Sequence, residues 1–477
     1  MICKTKIVAT IGPASSDFAT LSELIRAGVR IFRINCSHGS KAERIQLIRL
    51  CRQASKSLDI PIAIMIDLQG PKIRIGELEK PSITLQSGQT VKVTNQPIRG
   101  DEKSFSIEFP GLMNNIQIGN RILLDDGKIE LKVIRKQTYA LEAEVIVGGE
   151  LLPRKGANFP DSELSLSGIT EKDLDDLRMG MDNSIDAIAL SFVQSEKDIL
   201  DLKQHIENRY PKSKNVPLIA KIERPQALAH LSAILEHADG VMVARGDLAI
   251  EISPACVPTA QKEIITTANR MGKYVITATQ MLESMIENAI PTRAEANDVA
   301  NAVFDGSDAV MLSAETSIGK HPILAVKTMV SIIEEAEKNL AHWSVWDGKL
   351  TPKSADEDSY FVIEAARDLS KDRNVNAICV FTQSGRTAIL LSKTRPDVPI
   401  YAFTPNPDTY TQLNLYWGVQ SFLTPRANNL DEILSIIENS VSQPDHLKSG
   451  DQVVLICGYP VQKFRSANLV MLHTFPY

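Results

Sequence analysis

Short apolar runs recur along the first two thirds of the chain, and helical periodicity fills most of the intervals between them. Several runs end abruptly in polar or charged residues, as buried parallel strands do when their carboxyl ends open into a site. Eight strand–helix units predict an eight-stranded β/α (TIM) barrel, with the active site at the carboxyl ends of the strands. An open doubly wound sheet is the alternative, because periodicity alone does not distinguish the two. The predicted strands are Lys6–Thr10, Val29–Asn35, Ile62–Leu68, Ile185–Val193, Leu218–Glu223, Val241–Ala244, Val275–Thr279 and Ala309–Ser313.

The interval between the third and fourth runs is much longer than one helix, and its apolar residues alternate as in strands. Asp125-Asp126-Gly127 lies between two such alternating stretches and is a strong hairpin signal. The pattern predicts an inserted small β-barrel domain at residues 71–158, placed to close over the barrel as a lid. The barrel then comprises residues 1–70 and 159–343.

A second change of pattern follows the helical stretch Ile323–Leu340. Residues Trp343–Tyr360 are polar and acidic and contain Pro and Gly, which predicts a linker. Strands are predicted again at Ala377–Phe381, Ile400–Phe403 and Val453–Cys457. Residues 344–477 are therefore expected to form a C-terminal α/β regulatory domain.

Composition excludes several classes of protein. The formal charge of -6 over 477 residues is modest, so no nucleic-acid partner and no anionic membrane surface are expected. The six cysteines are scattered and form no Cys-x-x-Cys pair, which favours a reducing compartment and argues against structural zinc. The amino-terminal residues contain no signal-like apolar region, and no run is long enough to span a bilayer. A cytoplasmic protein is predicted.

Charged residues at two strand ends suggest the chemistry. Lys221 and Glu223 alternate along one predicted strand and so share a face, while Asp247 follows the next strand. Two carboxylates beside one ammonium suit phosphoryl transfer, because the carboxylates hold a divalent metal and the ammonium stabilises the group in flight. A solvated ion pair without a catalytic role is the alternative.

Two further clusters follow the second and third strands. Arg33, Asn35 and Ser37 face one way, which places a guanidinium suited to phosphate beside two neutral oxygens, although a capped polar turn would read similarly. Asp67 ends the third strand, and a Gly-Pro pair then leads to Lys72 and Arg74. A hinge followed by two cations suits a lid that binds phosphate when it closes.

These clusters lie within longer motifs that resemble the pyruvate kinase family over essentially the whole chain. The resemblance, of bacterial type, implies a barrel, an inserted β domain and a C-terminal α/β domain, usually in a homotetramer. The motifs are Arg33-Ile-Asn-Cys-Ser-His-Gly, Asp67-Leu-Gln-Gly-Pro-Lys-Ile-Arg, Ala220-Lys-Ile-Glu, Ala244-Arg-Gly-Asp-Leu, Thr277-Ala-Thr-Gln-Met-Leu-Glu-Ser-Met, Pro291-Thr-Arg-Ala-Glu and Met311-Leu-Ser-Ala-Glu-Thr.

The resemblance also implies a role for each residue that matches the family motifs. Lys221 and Arg33 would contact the phosphoryl group that moves from phosphoenolpyruvate to ADP, and Glu223 and Asp247 would ligate Mg²⁺. The substrate carboxylate would be held by the amides of Gly246 and Asp247 and by the Thr279 hydroxyl. Thr279 and Ser313 lie where the family places the groups or water chain that protonate the enolate carbon. The nucleotide-phosphate side would comprise Asn35, His38, Arg74 and Lys155, with Thr10 and Pro13 nearby.

One position departs from many members of the family. Members that require K⁺ hold it with residues that match Asn35, Ser37, Asp67 and the carbonyl of Leu68, and they carry glutamate where this chain has Lys72. Here Leu68, Gln69 and Lys72 resemble the subgroup that works without the ion, in which the lysine ammonium supplies the positive charge. We therefore predict that K⁺ is not required.

A loop in the C-terminal domain has the pattern of a phosphate-binding nest. Thr382-Gln383-Ser384-Gly385-Arg386-Thr387 follows a predicted strand and opens a helix, and the family uses the matching loop for a sugar-phosphate effector. A capped helix without ligand is the alternative. The second half of the family's effector pocket is hard to recognise in Gly458–Arg465. An effector is therefore expected, either a sugar phosphate or a nucleotide, and the sequence does not distinguish the two. Likewise, Ile318 replaces a lysine that some members place near the nucleotide.

Together, these observations predict Mg²⁺-dependent phosphoryl transfer from phosphoenolpyruvate to ADP, the last step of glycolysis. A Mg²⁺-dependent lyase or aldolase of pyruvate-type enolates is a rival, because such barrels also use paired carboxylates and an arginine. A non-catalytic sugar-phosphate sensor is a third hypothesis, but intact Lys221, Glu223, Asp247 and Thr279 argue against it.

Overall fold

Eight parallel strands close into a barrel, which rules out the open sheet. The computed structural model describes residues 3–162, 168–210, 216–350, 358–441, 447–463 and 465–475. Each strand pairs with its neighbours in chain order, and the eighth closes on the first in the register Lys6 with Ala309. The strands are Lys6–Thr10, Val29–Asn35, Ala63–Leu68, Ala187–Leu190, Leu218–Ile222, Gly240–Ala244, Tyr274–Ala278 and Ala309–Leu312.

Helices surround the barrel and bury its outer apolar face. Side-chain caps fix where several of these helices begin. In each, a side-chain oxygen accepts a hydrogen bond from a backbone amide of the first turn, and the capping residues are Asp17, Ser40, Thr170 and Thr292. The helices are Phe18–Ala27, Lys41–Leu58, Glu171–Asp182, Glu196–Arg209, Pro225–Ala229, Leu231–His237, Arg245–Ile252, Val257–Arg270, Arg293–Phe304, Ala314–Ser317, Pro322–Glu337 and Leu340–Trp343, with 3-10 turns at Pro13–Ser15 and Glu283–Ile286.

The fourth strand is shorter than the apolar run that predicted it. It spans Ala187–Leu190, and two residues later Phe192 has a φ of 57°, which turns the chain out of the sheet. The amide of Phe192 donates to Glu223 at 2.8 Å, so this turn is held by a carboxylate of the next strand. The strand therefore ends early because the chain turns to contact Glu223, a residue of the candidate site.

The insert is a β-rich domain, as the alternating pattern predicts. A six-stranded sheet and a two-stranded sheet enclose a common apolar core. The predicted hairpin joins Arg121–Leu124 to Ile129–Lys136 through three residues with positive φ, including Gly127. Its boundaries at 71 and 158 stay predictions. The remaining strands are Ile83–Leu85, Thr90–Thr94, Ser104–Ser106, Leu141–Val147, Gly149–Leu151 and Ala157–Asn158, with one helix at Leu112–Asn115.

A five-stranded sheet forms the C-terminal domain. Its strands are Ala377–Phe381, Ile400–Thr404, Val419–Leu423, Gln452–Cys457 and Leu469–Thr474, and only the last pairs antiparallel. The predicted set lacked two of them, Val419–Leu423 and Leu469–Thr474, which form the two edges of the sheet. The helices are Asp358–Asp372, Arg386–Lys393, Pro407–Gln412 and Leu430–Val441, with a 3-10 turn at Leu413–Leu415.

The C-terminal domain packs against the amino ends of the barrel strands, opposite the predicted site. Side chains from the barrel interior and from the C-terminal sheet form one apolar cluster, within which Tyr274 and Tyr416 meet edge to face at 5.5 Å. Lys393 is fully buried and pairs with Asp308, which directly precedes the eighth strand. This arrangement leaves the carboxyl ends of the strands to the lid.

The described residues include part of the predicted linker. Trp346 is buried and its indole donates to the carbonyl of Lys393 at 2.7 Å, while residues 351–357 lie outside the described residues. Among the described helices, none is both long and apolar enough to cross a membrane.

Candidate active site

Asp67 lies at the centre of the polar residues that gather at the carboxyl ends of the barrel strands. Its Oδ2 accepts from Arg33 Nε and Nη2, each at 2.7 Å, and its Oδ1 lies 3.3 Å from Lys221 Nζ. Arg33 also donates to the hydroxyl of Thr10 at 3.0 Å. One buried carboxylate thus fixes both cations that the sequence assigned to the phosphoryl group.

Lys221 is surrounded by acceptors. Its ammonium donates to Ser191 Oγ at 2.7 Å and lies 2.9 Å from Glu223 Oε1. Burial lowers the pKa of Lys221, but Asp67 and Glu223 more than offset this, and the net pKa lies well above its ordinary value. The lysine is therefore a permanent cation in this site, suited to electrostatic stabilisation and unsuited to proton transfer.

Glu223 and Asp247 form the acidic side of the site. Glu223 is almost fully buried, and its Oε1 receives no well-aligned hydrogen bond from the described residues. Burial and the neighbouring Glu223 raise the pKa of Asp247 to about 6. Two neighbouring carboxylates that repel each other fit a divalent cation that prefers oxygen ligands, such as Mg²⁺.

Thr279 follows the seventh strand in a strained conformation. Thr279 and Gln280 have φ of 69° and 54°, a region that β-branched side chains rarely adopt. The Gly246 amide donates to Thr279 Oγ1 at 2.8 Å, so these two predicted substrate contacts face each other. Arg245 holds the turn by donating to the carbonyls of Ala278 and Thr279 at 3.2 and 2.6 Å.

Ser313 follows the eighth strand and precedes the helix Ala314–Ser317. Its amide donates to Glu315 Oε2 at 2.7 Å, and the other oxygen of Glu315 accepts from the amide of Leu282. The buried Glu315 thus ties the segment after strand eight to the segment after strand seven.

The predicted nucleotide side is a cluster of cations around His38. Burial lowers the pKa of His38, and the charges of Lys72, Arg33, Arg74 and Lys172 lower it further. Four cations that act on one imidazole create a positive potential suited to the phosphates of a nucleotide.

Asn35 and Ser37 shape the loop that carries His38. Asn35 Oδ1 accepts from the amide of Ser37 at 3.0 Å, and the carbonyl of Asn35 accepts from the amide of His38 at 3.4 Å. Leu68 is fully buried at the end of the third strand, whereas Lys72 is exposed beyond the Gly70 hinge.

Two nucleotide-side residues have structural contacts of their own. Lys155 pairs with Asp125 of the lid hairpin at 2.7 Å, and Arg74 donates to the carbonyl of Arg154 at 2.8 Å. Pro13 is exposed and begins the turn Pro13–Ser15 after the first strand. The ion pair at Lys155 was not predicted.

Sequence reasoning missed three residues that organise the site: Ser191, Arg245 and Glu315. Ser191 links Lys221 to Asp67, with its Oγ 3.3 Å from Asp67 Oδ1. The available signal was a serine near the carboxyl end of the apolar run Ile185–Val193, where a strand opens into a site. Arg245 and Glu315 stood inside the quoted motifs, but no pattern in the sequence shows that they bind backbone groups.

The loop Thr382–Thr387 borders a cavity of about 660 Å³ between the C-terminal domain and the base of the barrel. Gly385, with a φ of 80°, caps the helix Arg386–Lys393, and its amide donates to Thr382 Oγ1 at 3.0 Å. Lys463 and Arg465 border the same cavity, while Phe464 lies outside the described residues.

Comparison with known proteins decides between the remaining hypotheses. The profile of the pyruvate kinase barrel domain matches residues 2–326, and that of the pyruvate kinase alpha/beta domain matches residues 361–473. The chain belongs to the pyruvate kinase family.

Individual relatives agree with this assignment over nearly the whole chain. Pyruvate kinase 2 of Synechocystis sp. is 44% identical over 461 residues, which cover 95% of this chain and 76% of the relative. The pyruvate kinase of Geobacillus stearothermophilus is 40% identical over 472 residues, 98% of this chain and 80% of the relative. A crystal structure of a pyruvate kinase from Cryptosporidium parvum superposes with a TM-score of 0.91 at 33% identity, over 99% of this chain and 96% of that one.

As a pyruvate kinase, the protein transfers a phosphoryl group from phosphoenolpyruvate to ADP and forms pyruvate and ATP, a step of glycolysis. The family generally uses Mg²⁺. The lyase and sensor hypotheses are set aside.

Proposed function

We propose that Lys221 and Arg33 bind and stabilise the phosphoryl group during its transfer. The observation that carries this proposal is their common, buried anchor Asp67, which holds two permanent cations side by side at the mouth of the barrel. Positive charge fixed in advance at the place where a phosphoryl group develops charge lowers the barrier without reorganisation.

Glu223 and Asp247 would hold Mg²⁺, which when bound neutralises oxygens of the substrate and of the enolate. The fit rests on two neighbouring carboxylates that are largely buried and on the raised pKa of Asp247. The adjacent amides of Gly246 and Asp247, at the start of the helix Arg245–Ile252, would bind the substrate carboxylate together with the Thr279 hydroxyl.

The enolate left by phosphoryl transfer must take up a proton on carbon to become pyruvate. Thr279 and Ser313 would supply it or orient the water that does, since they follow neighbouring strands of the barrel. Lys221 keeps its proton, so it stabilises the enolate and does not quench it.

Activity of single variants tests these roles. Lys221→Met is expected to lower kcat by about 10³-fold or more, because it removes fixed charge at the transferring group. Lys262→Met is the matched control, since Lys262 also pairs with a buried carboxylate, Asp305, but lies in the helix Val257–Arg270. Equal losses in the two variants would contradict the assignment of Lys221.

ADP would bind on the side of His38 and Arg74, with Asn35, Lys155, Thr10 and Pro13 around its phosphates. Support comes from the cations whose charges converge on His38. Lys155 would exchange its partner Asp125 for a phosphate oxygen, which a side chain that is 38% exposed is free to do. Ile318 is exposed and offers no charge there.

We further propose that K⁺ is not required, because the ammonium of Lys72 replaces it beside Asn35, Ser37, Asp67 and the carbonyl of Leu68. Support comes from the charge of Lys72, which lowers the pKa of both His38 and Asp247.

The test compares pyruvate formation in K⁺-free buffer and with added KCl. Full turnover without K⁺ is expected for the natural chain, whereas Lys72→Glu should create a dependence on K⁺. Lys92→Glu makes the same charge change on an exposed strand position of the lid and should create none. A K⁺ requirement in the natural chain would refute the proposal.

The loop Thr382, Gln383, Ser384, Gly385, Arg386 and Thr387 would bind the phosphate of a regulatory sugar phosphate or nucleotide. Its support is the helix start at Gly385 and the cavity that Lys463 and Arg465 also border. Activation at low phosphoenolpyruvate concentration by fructose bisphosphate, ribose phosphate or a nucleoside monophosphate should disappear in Ser384→Asp, which places an anion in the nest.

A homotetramer in the cytoplasm is the remaining part of the proposal. Exposed Trp343 and Val345 beside an apolar groove of about 650 Å³ support self-association, and six unpaired cysteines fit a reducing compartment. Light scattering after size exclusion would give the mass of four chains; a monomer would overturn this part.

A further inference from the structure

Arg44 is a buried arginine next to the nucleotide side. It lies in the first turn of the helix Lys41–Leu58, directly after the loop Cys36–Gly39. Its Nη1 donates to three carbonyls of that loop, those of Cys36, His38 and Gly39, at 3.0, 3.1 and 3.1 Å. Three of the four carbonyl groups in the loop Cys36–Gly39 therefore point toward one guanidinium nitrogen.

The other side of Arg44 is fixed by the helix Glu171–Asp182. Arg44 Nη2 donates to Asp176 Oδ1 at 2.6 Å, and both residues are buried. Lys172 reaches the same place, with its ammonium 2.7 Å from Asp176 Oδ2 and 2.6 Å from the carbonyl of Cys36. The loop is thus clamped between two cations that share one carboxylate.

Arg44 and Lys172, called the clamp here, fix the direction in which the carbonyl groups of the loop Cys36–Gly39 point. Carbonyl oxygens that converge within about 3 Å of one point repel each other unless a cation lies between them. Without the guanidinium, the carbonyls of His38 and Gly39 lose a donor, and the loop that carries His38 is expected to change its backbone conformation. A carbonyl oxygen that turned toward the nucleotide phosphates would present its negative end to them.

We propose that Arg44 is a positioning residue for the nucleotide phosphates, acting through the backbone of Cys36–Gly39 and held in place by Asp176. This inference rests on the proposed role of His38 on the nucleotide side. Arg44 is buried and acts on the backbone of the loop, so its effect is expected on ADP binding and not on phosphoenolpyruvate binding.

The chain provides a matched control on the same helix. Arg52 lies eight residues after Arg44 and donates to the carbonyls of Ile62 and Ser184 and to the buried carboxylate of Asp186. Each aspartate keeps another partner when its arginine is removed: Asp176 keeps Lys172, and Asp186 keeps the amide of Ile64. The two substitutions therefore remove similar bonds, and only one of them touches the loop.

The experiment measures KM for ADP, KM for phosphoenolpyruvate, kcat and melting temperature for Arg44→Met and Arg52→Met. Arg44→Met is expected to raise KM for ADP about tenfold, since small displacements of binding groups cost one to two powers of ten. Its KM for phosphoenolpyruvate should stay within about twofold of the natural value, as should both constants in Arg52→Met. An unchanged KM for ADP, or equal rises for both substrates, would overturn the inference.

Two further variants keep the test decisive. If Arg44→Met fails to fold, Asp176→Asn weakens the same clamp and should raise KM for ADP alone. His38→Asn separates this inference from the proposed function: a rise in KM for ADP there, without a rise in the Arg44 and Asp176 variants, refutes only the clamp. An unchanged KM for ADP in all three variants refutes the nucleotide side itself.

Discussion

Asp67→Asn tests the idea that one buried carboxylate fixes both cations of the site. The substitution preserves the size of the side chain and removes its charge. In the natural chain, Asp67 lies 2.7 Å from Arg33 and 3.3 Å from Lys221, and it is 2% exposed. Both cations lower the pKa of Asp67 against the opposing effect of burial, so the group is ionised.

The expected cost follows from these distances. At an effective dielectric constant of about 20, each ion pair is worth roughly 5–6 kcal/mol of gross attraction. The net value is smaller because the carboxylate lost its hydration on folding, and removal of one partner of a buried pair costs about 3–5 kcal/mol. The neutral amide of the variant would also leave Arg33 and Lys221 as two adjacent cations without an anion between them.

Differential scanning fluorimetry with and without phosphoenolpyruvate measures both consequences. The melting temperature of Asp67→Asn should fall by about 5 °C or more. Phosphoenolpyruvate should then raise it more than in the natural chain, because the substrate's phosphoryl group replaces the missing anion and stabilises the folded state. The value of kcat should fall at the same time, since Arg33 and Lys221 lose their fixed positions.

Asp186→Asn is the control, because Asp186 is equally buried and bound to an arginine, Arg52, away from the site. It should lower the melting temperature without increasing the effect of phosphoenolpyruvate. If both variants respond equally to the substrate, or if Asp67→Asn loses neither stability nor kcat, the role assigned to Asp67 is wrong.

Three more outcomes are expected. Thr279→Val should lower kcat about 10²-fold by removing the hydroxyl, whereas Thr279→Ser keeps it, relieves the strained φ of 69° and should stay within about tenfold of the natural kcat. Mg²⁺ should raise the melting temperature of the natural chain. Asp247→Asn should raise the melting temperature of the metal-free protein, because the substitution ends the repulsion from Glu223. The same variant should no longer respond to Mg²⁺. Burial and then the nearby Arg30 lower the pKa of Lys6 to about 7, so the unfolded chain binds more protons than the folded one above that pH. Between pH 7 and 10 the natural chain should therefore gain about 3 kcal/mol of stability in urea relative to Lys6→Met.

The barrel and the hairpin were predictable because their signals are local. Continuous apolar runs that end in charge specify buried parallel strands, and Asp125-Asp126-Gly127 specifies a tight turn. The two missed strands lie at the edges of the C-terminal sheet. Leu469–Thr474 is only half-buried along its length, so its composition lacks the apolar run of a central strand.

The residues of the candidate site were predicted from their motifs, but their partners were not. No sequence pattern indicates that Asp67 binds Arg33 and Lys221 at once, because these three side chains come from different strands of the barrel. The same holds for Arg44, whose partners lie 132 residues away at Asp176 and within the preceding loop. Long-range pairing of this kind depends on the closed barrel, which the chain specifies only as a whole.

The barrel interior and the C-terminal sheet share one apolar cluster, and this cluster determines whether the barrel can fold without the C-terminal domain. Met65, Ile219 and Met311 belong to the same buried cluster as Ile378 and Val454. A fragment that ends before the C-terminal domain would expose the floor of the barrel to water and leave Asp308 without Lys393. The catalytic half is therefore not an autonomous folding module, and attempts to express it alone should yield aggregate.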